Sequence, residues 1–147
     1  MGIPRIIRPC AFCFVQEDDR VLIGRSRDPD DGSFFYRPLG GGIDFGETGE
    51  EAARRELREE LGVELGSVRF LGFLENLFEM GAKPYHELCL IFTAEPAGWS
   101  IDRFDGFEIP ESVGAGSEEI AIVRKTNAIA ESFPLYPDGV TELVRQR

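Results

Sequence analysis

Residues 48–62, TGEEAARRELREELG, carry the start and stop signals of one helix. Thr48 is a suitable N-cap with Glu51 three positions later, the spacing of a capping box, and Gly62 suits the left-handed backbone that ends many helices. The apolar positions fall along one side of a 3.6-residue helix; they are Ala53, Leu57 and Leu61. The sequence therefore predicts an amphipathic helix from about residue 49 to 61, packed on a core through this stripe.

Three glutamates of the same helix, Glu56, Glu59 and Glu60, lie within an arc of about 100°. Like charges three or four positions apart repel by roughly 0.2–0.5 kcal/mol per pair, and the helix dipole disfavours acids near the C-terminal end. A solvated face, with the helix's arginines pairing the acids, is one interpretation. The other is a divalent cation, since Mg²⁺ binds carboxylate oxygens and keeps positions for water and phosphate oxygens.

Length, composition and charge limit the classes of protein. A chain of 147 residues, 42% hydrophobic and 29% charged, is typical of a globular protein, and we expect a single domain over residues 1–147. The sequence lacks a membrane-length apolar run and a signal peptide, so we expect a cytoplasmic protein without a membrane partner. The net charge of -11 argues against a nucleic acid polymer as partner. A small polyanion fits if bound cations change the local field.

The three cysteines are an odd number without a disulfide framework, which is typical of a reducing compartment. Cys10 and Cys13 belong to an apolar strand-like run, where residues three apart face opposite sides and cannot share a metal ion. We expect Cys10, Cys13 and Cys89 to be buried, with a redox or zinc role as the alternative.

The rest of the chain indicates mainly strands. Residues 6–15 and 20–25 form a predicted hairpin, residues 68–78, 85–95 and 119–123 are strand candidates, and the tail at 138–146 resembles a helix. The intervening segment, 99–117, reads as a long loop, of a length that is usually functional or mobile. Its aromatic residues either stack on a base or anchor the loop; they are Trp99, Phe104 and Phe107.

Nine residues between positions 41 and 63 occupy every fixed place of the pattern G-x5-E-x7-R-E-U-x-E-E-x-G-U, in which U is aliphatic. They are Gly41, Glu47, Arg55, Glu56, Leu57, Glu59, Glu60, Gly62 and Val63. By average residue usage such a match arises on the order of once in 10⁹ starting positions. The chain thus resembles the Nudix hydrolase family. The resemblance implies an α+β fold, an α/β/α sandwich with a central mixed β-sheet.

The same resemblance implies a reaction and roles for the motif residues. The reaction is hydrolysis of a nucleoside diphosphate linked to another moiety, assisted by Mg²⁺ or Mn²⁺. By motif position, Glu56 and Glu60 are the principal metal ligands, and Glu59 is a further ligand. The backbone carbonyl of Gly40 is another, Arg55 orients a catalytic carboxylate, and Glu47 supports the junction between loop and helix.

The general base is not fixed by the motif. Glu56 is one candidate, and Glu118 and Glu119 are others, as base or as ligand to a second metal ion; an exposed loop end is the alternative for both. Residues that could contact substrate are Arg37, Gly41, Gly42, Arg8 and His86. Glycines allow close approach of the backbone to a phosphate, as a metal-phosphate loop requires, although a tight turn alone would also explain them. Surface arginines and a packed histidine are equally ordinary.

Substrate identity stays open between two classes of nucleotide. We expect a nucleotide-sugar or ADP-ribose type of diphosphate, with nucleoside triphosphates, including damaged ones, as the alternative. A nucleotide sensor without turnover is a third interpretation, but the family members that lose activity usually lose acids of the motif, and all are present here. A structural or interaction role and a homodimer are further alternatives.

Overall fold

A computed structural model describes residues 5–109, 118–130 and 132–145 of the chain. Its N-terminal half contains four strands and the long helix. They are β1 (Ile7–Glu17), β2 (Arg20–Arg27), β3 (Phe34–Arg37), β4 (Leu39–Gly42) and α1 (Gly49–Leu61). The C-terminal half begins with a long hairpin and ends with two short helices. Its elements are β5 (Leu65–Met80), β6 (Lys83–Pro96), a 3-10 turn (Ile101–Phe104), β7 (Glu108–Ile109), β8 (Glu118–Arg124), α2 (Lys125–Ala128) and α3 (Val140–Arg145).

The strands of the described residues form one mixed sheet. Its order is β5-β6-β1-β2-β8-β7, with β3 paired to β2 and β4 paired to β1. The β1–β6 pair is parallel, and the other pairs are antiparallel. This arrangement confirms the predicted mixed central sheet.

Two hydrophobic clusters lie on opposite faces of the sheet and place helices on both sides. One contains Leu57 and Leu61 of α1, and the other contains Ala128 of α2 and Val140 of α3. The predicted α/β/α layering is therefore confirmed. Cys13 belongs to the first cluster, whereas Cys10 and Cys89 belong to the second, as the strand alternation predicted.

The glycine run 40–42 differs from the predicted loop. Gly40, Gly41 and Gly42 are a strand, opposite Phe12, Ala11 and Cys10 of β1 respectively. This pairing makes β4 part of the sheet next to the core. Because its glycines have no side chains, the main chain of β4 is uncovered there. Their spacing in the motif did not reveal this strand because the partner lies about thirty residues earlier.

The bounds of several other elements differ from the predicted ones. The connection between β5 and β6 shrinks to Gly81 and Ala82, and α2 was not predicted. The loop predicted at 99–117 contains the 3-10 turn and β7, while 110–117 lie outside the described residues. The predicted tail helix is confirmed over Val140–Arg145, and position 146 lies outside the residues that the structure describes. No helix among the described residues is long and apolar enough to cross a membrane.

The aromatic residues near position 100 pack on one another, and of the three rings Phe104 is buried while Phe107 is exposed. Phe104 is buried against the ring of Trp99, with centroids 5.4 Å apart, and against Phe107 at 5.6 Å. The indole Nε1 of Trp99 donates to the carbonyl of Glu64 at 2.7 Å. These contacts match the loop-anchoring interpretation of the three rings.

Candidate functional site

The helix α1 begins and ends where its local signals place it. The Thr48 hydroxyl accepts from the amide of Glu51 at 3.1 Å, the Glu51 carboxylate accepts from the Thr48 amide at 3.1 Å, and Gly62 is left-handed with φ of 69°. Leu57 is fully buried, and burying such a side chain contributes about 1.5–3 kcal/mol. This packing fixes the rotation of the helix and decides which glutamates face the sheet.

The three glutamates of α1 do not share one environment. The Glu56 side chain is only 16% exposed and Glu60 is partly buried, whereas the Glu59 side chain is 58% exposed. The structure therefore brings Glu56 and Glu60 together against the sheet and leaves Glu59 at the solvent edge. Glu59 still contacts the site through Arg55, whose Nη1 lies 3.3 Å from the Glu59 carboxylate.

Glu60 has an unusual carboxyl group. Its pKa rises from 4.5 to about 8, first because burial disfavours the charged form and then because Glu118 and Glu56 add negative charge nearby, while Arg37 partly opposes the rise. The Oε2 atom of Glu60 is buried without a hydrogen-bond partner in the described part of the chain. A crowded carboxylate with an unpartnered oxygen is a natural position for a cation.

Arg55 links the carboxylates to the loop before the helix. Its guanidinium donates to Glu47 at 2.6 Å, to Glu56 at 3.0 Å and to the carbonyl of Gly42 at 2.9 Å. Hydrogen bonds to Glu47, then to Glu56 and Glu59, raise the pKa of Arg55 above its usual value despite the opposing effect of burial. Arg55 thus orients the Glu56 carboxylate and connects α1 to β4 through these hydrogen bonds.

Two glycines of β4 leave space that side chains would fill. A Cβ atom on Gly41 would lie 2.7 Å from Oε1 of Glu56, so this glycine makes room for the carboxylate. Gly40 has φ of 153°, and a Cβ there would collide with the carbonyl of Ala11. The backbone of β4 therefore approaches the Glu56 carboxylate closely at Gly41.

Glu118 and Glu119, the two adjacent acids of β8, point in different directions. Glu118 is buried, and its Oε2 accepts from Nε of Arg37 at 2.9 Å. Burial is the largest single influence on the pKa of Arg37 and lowers it, but the ion pair with Glu118 and the charges of Glu60 and Glu87 together raise the pKa overall. Glu119 instead forms an ion pair with Arg25. Of the two candidates, only Glu118 adds its charge to that of Glu60.

Arg8 lies beside the motif strand β4, and His86 lies on β6, on the other side of β1. The guanidinium of Arg8 would be 3.1 Å from a Cβ on Gly42, and its Nη1 lies 3.9 Å from the Glu87 carboxylate. His86 pairs with Ile7 of β1, and its Nε2 is buried without a hydrogen-bond partner among the described residues. The sequence did not single out Glu87, a buried acid that also accepts from Asn76 at 3.3 Å.

Two clefts differ in their relation to these carboxylates. One, of about 410 Å³, reaches Glu118. It is lined by Arg25, Ser26, Arg27, Phe34, Glu108, Glu118 and Glu119. The other, of about 370 Å³, is lined by residues such as Gln16, Arg69 and Thr93 and contains none of the candidate site residues. The first cleft is the better placed to receive part of a substrate.

The donor set suits a hard divalent cation. Over the described ranges, no group of three or more His, Cys, Asp or Glu side chains is already arranged around one point as metal ligands. Glu56 and Glu118 nevertheless add their negative charge to the surroundings of Glu60, whose Oε2 is buried without a partner among the described residues. Carboxylate oxygens are the ligands that Mg²⁺ and Mn²⁺ prefer. The chemistry of these oxygen donors therefore fits such an ion.

Comparisons with known proteins give a consistent family. The NUDIX domain family matches residues 6–112. The NAD-capped RNA hydrolase NudC of Vibrio parahaemolyticus is 30% identical over 130 residues, 88% of this chain and 46% of that protein. The RNA pyrophosphohydrolase of Novosphingobium aromaticivorans is 46% identical over 63 residues, 42% of this chain and 37% of that protein. The chain thus covers less than half the length of either relative.

A solved structure supports the fold over almost the whole chain. The MutT NUDIX hydrolase from Burkholderia pseudomallei is similar with a TM-score of 0.62 and 22% identity, covering 96% of this chain and 97% of that one. At this level of identity the likeness concerns the fold and not the substrate.

Proposed function

Because this chain belongs to the Nudix family, we propose that it is a pyrophosphohydrolase acting on a nucleoside diphosphate linked to another moiety. The observation that carries the proposal is the group of acids around Glu60, namely Glu56 and Glu118, next to the glycine strand β4. Arg55 orients Glu56 in this group through a hydrogen bond. Acids from a helix and from a distant strand thus act on the same carboxyl group, that of Glu60. On a chain with net charge -11, a phosphoanhydride can dock there only with cations.

Mg²⁺ or Mn²⁺ is the proposed cofactor, in line with the general use of divalent ions by the family. A bound divalent ion supplies a lowered pKa for water and neutralises charge on phosphate oxygens. Glu56 and Glu60 would hold it, with the carbonyl of Gly40 and the more exposed Glu59 as further ligands. Arg55 keeps Glu56 in place through its 3.0 Å hydrogen bond.

The proton of the attacking water needs an acceptor. Glu118 is our preferred general base or ligand to a second metal ion, because it is the acid of β8 that faces Glu60. Arg37 holds its carboxylate through the 2.9 Å hydrogen bond. Glu119 is engaged with Arg25, and we assign it no role in the chemistry.

Contacts to the rest of the substrate are proposed on both sides of the carboxylates. Arg8 lies against Gly42 and could meet a phosphate, and His86 lies on the neighbouring strand. The 410 Å³ cleft beside Glu118 leaves room for the second moiety. Its exposed ring, Phe34, lies 4.2 Å and 4.6 Å from the guanidinium carbons of Arg27 and Arg25, which makes the cleft partly cationic.

The relatives' names favour diphosphate-linked substrates. An NAD cap contains two nucleosides joined by a pyrophosphate, the bond type of our leading proposal, and the relative from Vibrio parahaemolyticus is named for such a cap. The second relative is named for RNA pyrophosphate. The net charge of -11 disfavours a long RNA, so the small nucleotide is our expectation and RNA ends are an outcome to test.

A substrate panel with Mg²⁺ or Mn²⁺ tests the proposal. It should contain ADP-ribose, a nucleotide-sugar, NAD, nucleoside triphosphates and short RNAs with an NAD cap or a 5′-triphosphate. Release of a nucleoside monophosphate from the first three is expected. Turnover of triphosphates alone would favour the alternative class, and saturable binding without product from any substrate would indicate a sensor.

Variants assign the residues. Glu56→Gln and Glu60→Gln should fold and lose metal-dependent turnover by at least about 100-fold, as expected for loss of a group that holds the catalytic ion. Glu118→Gln should also lose activity, whereas its neighbour Glu119→Gln is the matched control and should keep it. Equal activity of the Glu118 and Glu119 variants would contradict the role of Glu118.

A further inference from the structure

The contact between Arg37 and Glu118 crosses an intervening strand. Arg37 is on β3 and Glu118 is on β8, and both strands pair with β2, which lies between them. Arg37 is directly opposite Gly24 of β2, and Gly24 is in turn opposite Ile120 of β8. Neighbouring strands are about 4.8 Å apart, so side chains from β3 and β8 must reach over β2 to meet. They meet above the one residue of that row without a side chain.

The carboxylate of Glu118 lies directly above Gly24. A Cβ atom at position 24 would lie 2.5 Å from Oε2, 2.7 Å from Cδ and 3.1 Å from Cγ of Glu118, and these are its three nearest atoms. Gly24 does not have the positive φ that an L-residue avoids. Its backbone therefore accepts alanine, and the three nearest atoms to the added methyl group all belong to the Glu118 side chain.

We propose that Gly24 and Arg37 are positioning residues, which seat Glu118 across β2 so that its carboxylate faces Glu60 and completes the divalent-cation site. The inference rests on the proposed function and extends it to two residues outside the motif. Glu118 has a side chain only 11% exposed, and a buried carboxylate requires a partner. Arg37 provides that partner on one side, and the missing side chain of Gly24 provides the path.

The positioning of Glu118 by Gly24 and Arg37, which we call the Glu118 seat, also explains how Glu56, Glu60 and Glu118 can lie near one another. Glu60 is close enough to Glu118 and Glu56 for their charges to disfavour its ionisation, and Arg37 acts in the opposite direction. In the absence of a metal ion, Arg37 is the cation that offsets this repulsion. Its 2.9 Å hydrogen bond to Glu118 keeps that carboxylate in its orientation when a divalent ion takes up the charge of Glu60.

Gly24→Ala is the direct test, with Mn²⁺ affinity as the readout. Mn²⁺ binding is measured by electron paramagnetic resonance and calorimetry without substrate, and circular dichroism checks the fold. The added methyl group must displace the carboxylate, and loss of an outer-shell support typically weakens metal binding about 10- to 100-fold. We expect a weakening in that range. Wild-type affinity in a folded Gly24→Ala protein would overturn the role of Gly24.

A double-mutant cycle separates this effect from general damage. In a Glu118→Ala background no carboxylate fills the space, so adding Gly24→Ala should change the Mn²⁺ Kd by less than about twofold. An equal loss in both backgrounds would overturn the inference. Gly66→Ala is the matched control, because it also adds a methyl group to a strand glycine without positive φ, and its nearest atom is the carbonyl of Glu95 at 3.3 Å.

Arg37 is tested independently, in case Gly24→Ala does not fold. Arg37→Gln should weaken Mn²⁺ binding because Glu118 loses its anchor, and Arg37→Lys, which keeps a charge, should give an intermediate Kd. Tighter binding by Arg37→Gln would mean that Arg37 only competes with the metal ion, and would overturn its positioning role.

The binding readout keeps this inference distinct from the proposed function. If the wild type binds Mn²⁺ but hydrolyses no member of the panel, the proposed function is rejected. Weaker Mn²⁺ binding by Gly24→Ala would still support the positioning role. If the wild type hydrolyses substrate but neither Gly24→Ala nor Arg37→Gln changes the Mn²⁺ Kd, the positioning role is rejected and the proposed function stands. Absence of Mn²⁺ binding by the wild type would reject the seat as well.

Discussion

Replacing Glu60 by glutamine should stabilise the metal-free protein, although the same change should abolish its activity. Glu60 is partly buried beside Glu56 and Glu118, and its Oε2 lacks a hydrogen-bond partner among the described residues. Burial and the two neighbouring acids disfavour its ionised form in the folded state. Glutamine has nearly the same shape and no charge to bury. The metal-free wild type is therefore less stable than the variant wherever Glu60 ionises on unfolding.

The pKa values give the magnitude and its sign. The pKa of Glu60 rises from 4.5 to about 8 in the folded protein, and one pKa unit corresponds to 1.36 kcal/mol. Below pH 4.5 the group is protonated in both states and contributes no difference. As pH rises above 4.5, the unfolded state loses the proton that the folded state still keeps, so a destabilising penalty grows until about pH 8 and reaches about 3 kcal/mol at pH 7. Solvent screening at a partly buried group reduces it to about 2–3 kcal/mol.

Urea and thermal unfolding in EDTA at pH 4, 7 and 8.5 measure this difference. At pH 7 Glu60→Gln should raise the melting temperature by about 4–12 °C, since 1 kcal/mol corresponds to about 2–4 °C in a chain of this size. The gain should vanish at pH 4 and be largest at pH 8.5. Glu59→Gln is the matched control: its side chain is 58% exposed, so stability should change by less than about 0.5 kcal/mol.

Two results would refute this reasoning. One is a Glu60→Gln protein no more stable than wild type at pH 7 in EDTA; the other is a gain that does not shrink towards pH 4. Saturating Mg²⁺ provides a further check, because an ion that binds only the folded state stabilises it. Mg²⁺ should stabilise the wild type and have little effect on Glu60→Gln.

Two further predictions concern the helix cap and the cysteines. Thr48→Ala removes the acceptor for the Glu51 amide and should cost about 1 kcal/mol in urea unfolding; an unchanged midpoint would contradict the importance of the capping box. Burial raises the pKa of Cys10, Cys13 and Cys89 to about 12, so the native protein at pH 8 should not react with a thiol reagent such as Ellman's reagent until it is unfolded. Rapid reaction of one thiol would show that its surroundings open.

The helix was predictable to the residue because its signals are local. Thr48, Glu51 and Gly62 satisfy backbone groups within one turn of themselves, and the apolar stripe follows from the 3.6-residue period alone. The separation of Glu59 from Glu56 and Glu60 was not predictable in the same way. All three lie within one arc of the helix, and only the packing of Leu57 against the sheet decides which part of that arc is buried.

The strand β4 shows the opposite case. Three consecutive glycines favour a turn or loop by local preference, because glycine is intrinsically poor at filling a strand. Pairing with Cys10, Ala11 and Phe12 overrides that preference, and the close approach of Glu56 gives a reason for Gly41 that no neighbouring residue reveals. Only the long-range partner distinguishes this strand from a turn.

The choice between Glu118 and Glu119 depends on the register of β8. Successive residues of a strand face opposite sides, so a slip of one position would exchange the two acids. The register is set by Gly24 opposite Ile120 and Arg25 opposite Glu119, contacts that join residues about 95 positions apart. With this register Ile120 enters the core that contains Leu57, and Glu118, two positions earlier, faces the same side as α1. The apolar residue that must be buried thus determines which carboxylate reaches Glu60, and a sequence without the pairing partner cannot supply that information.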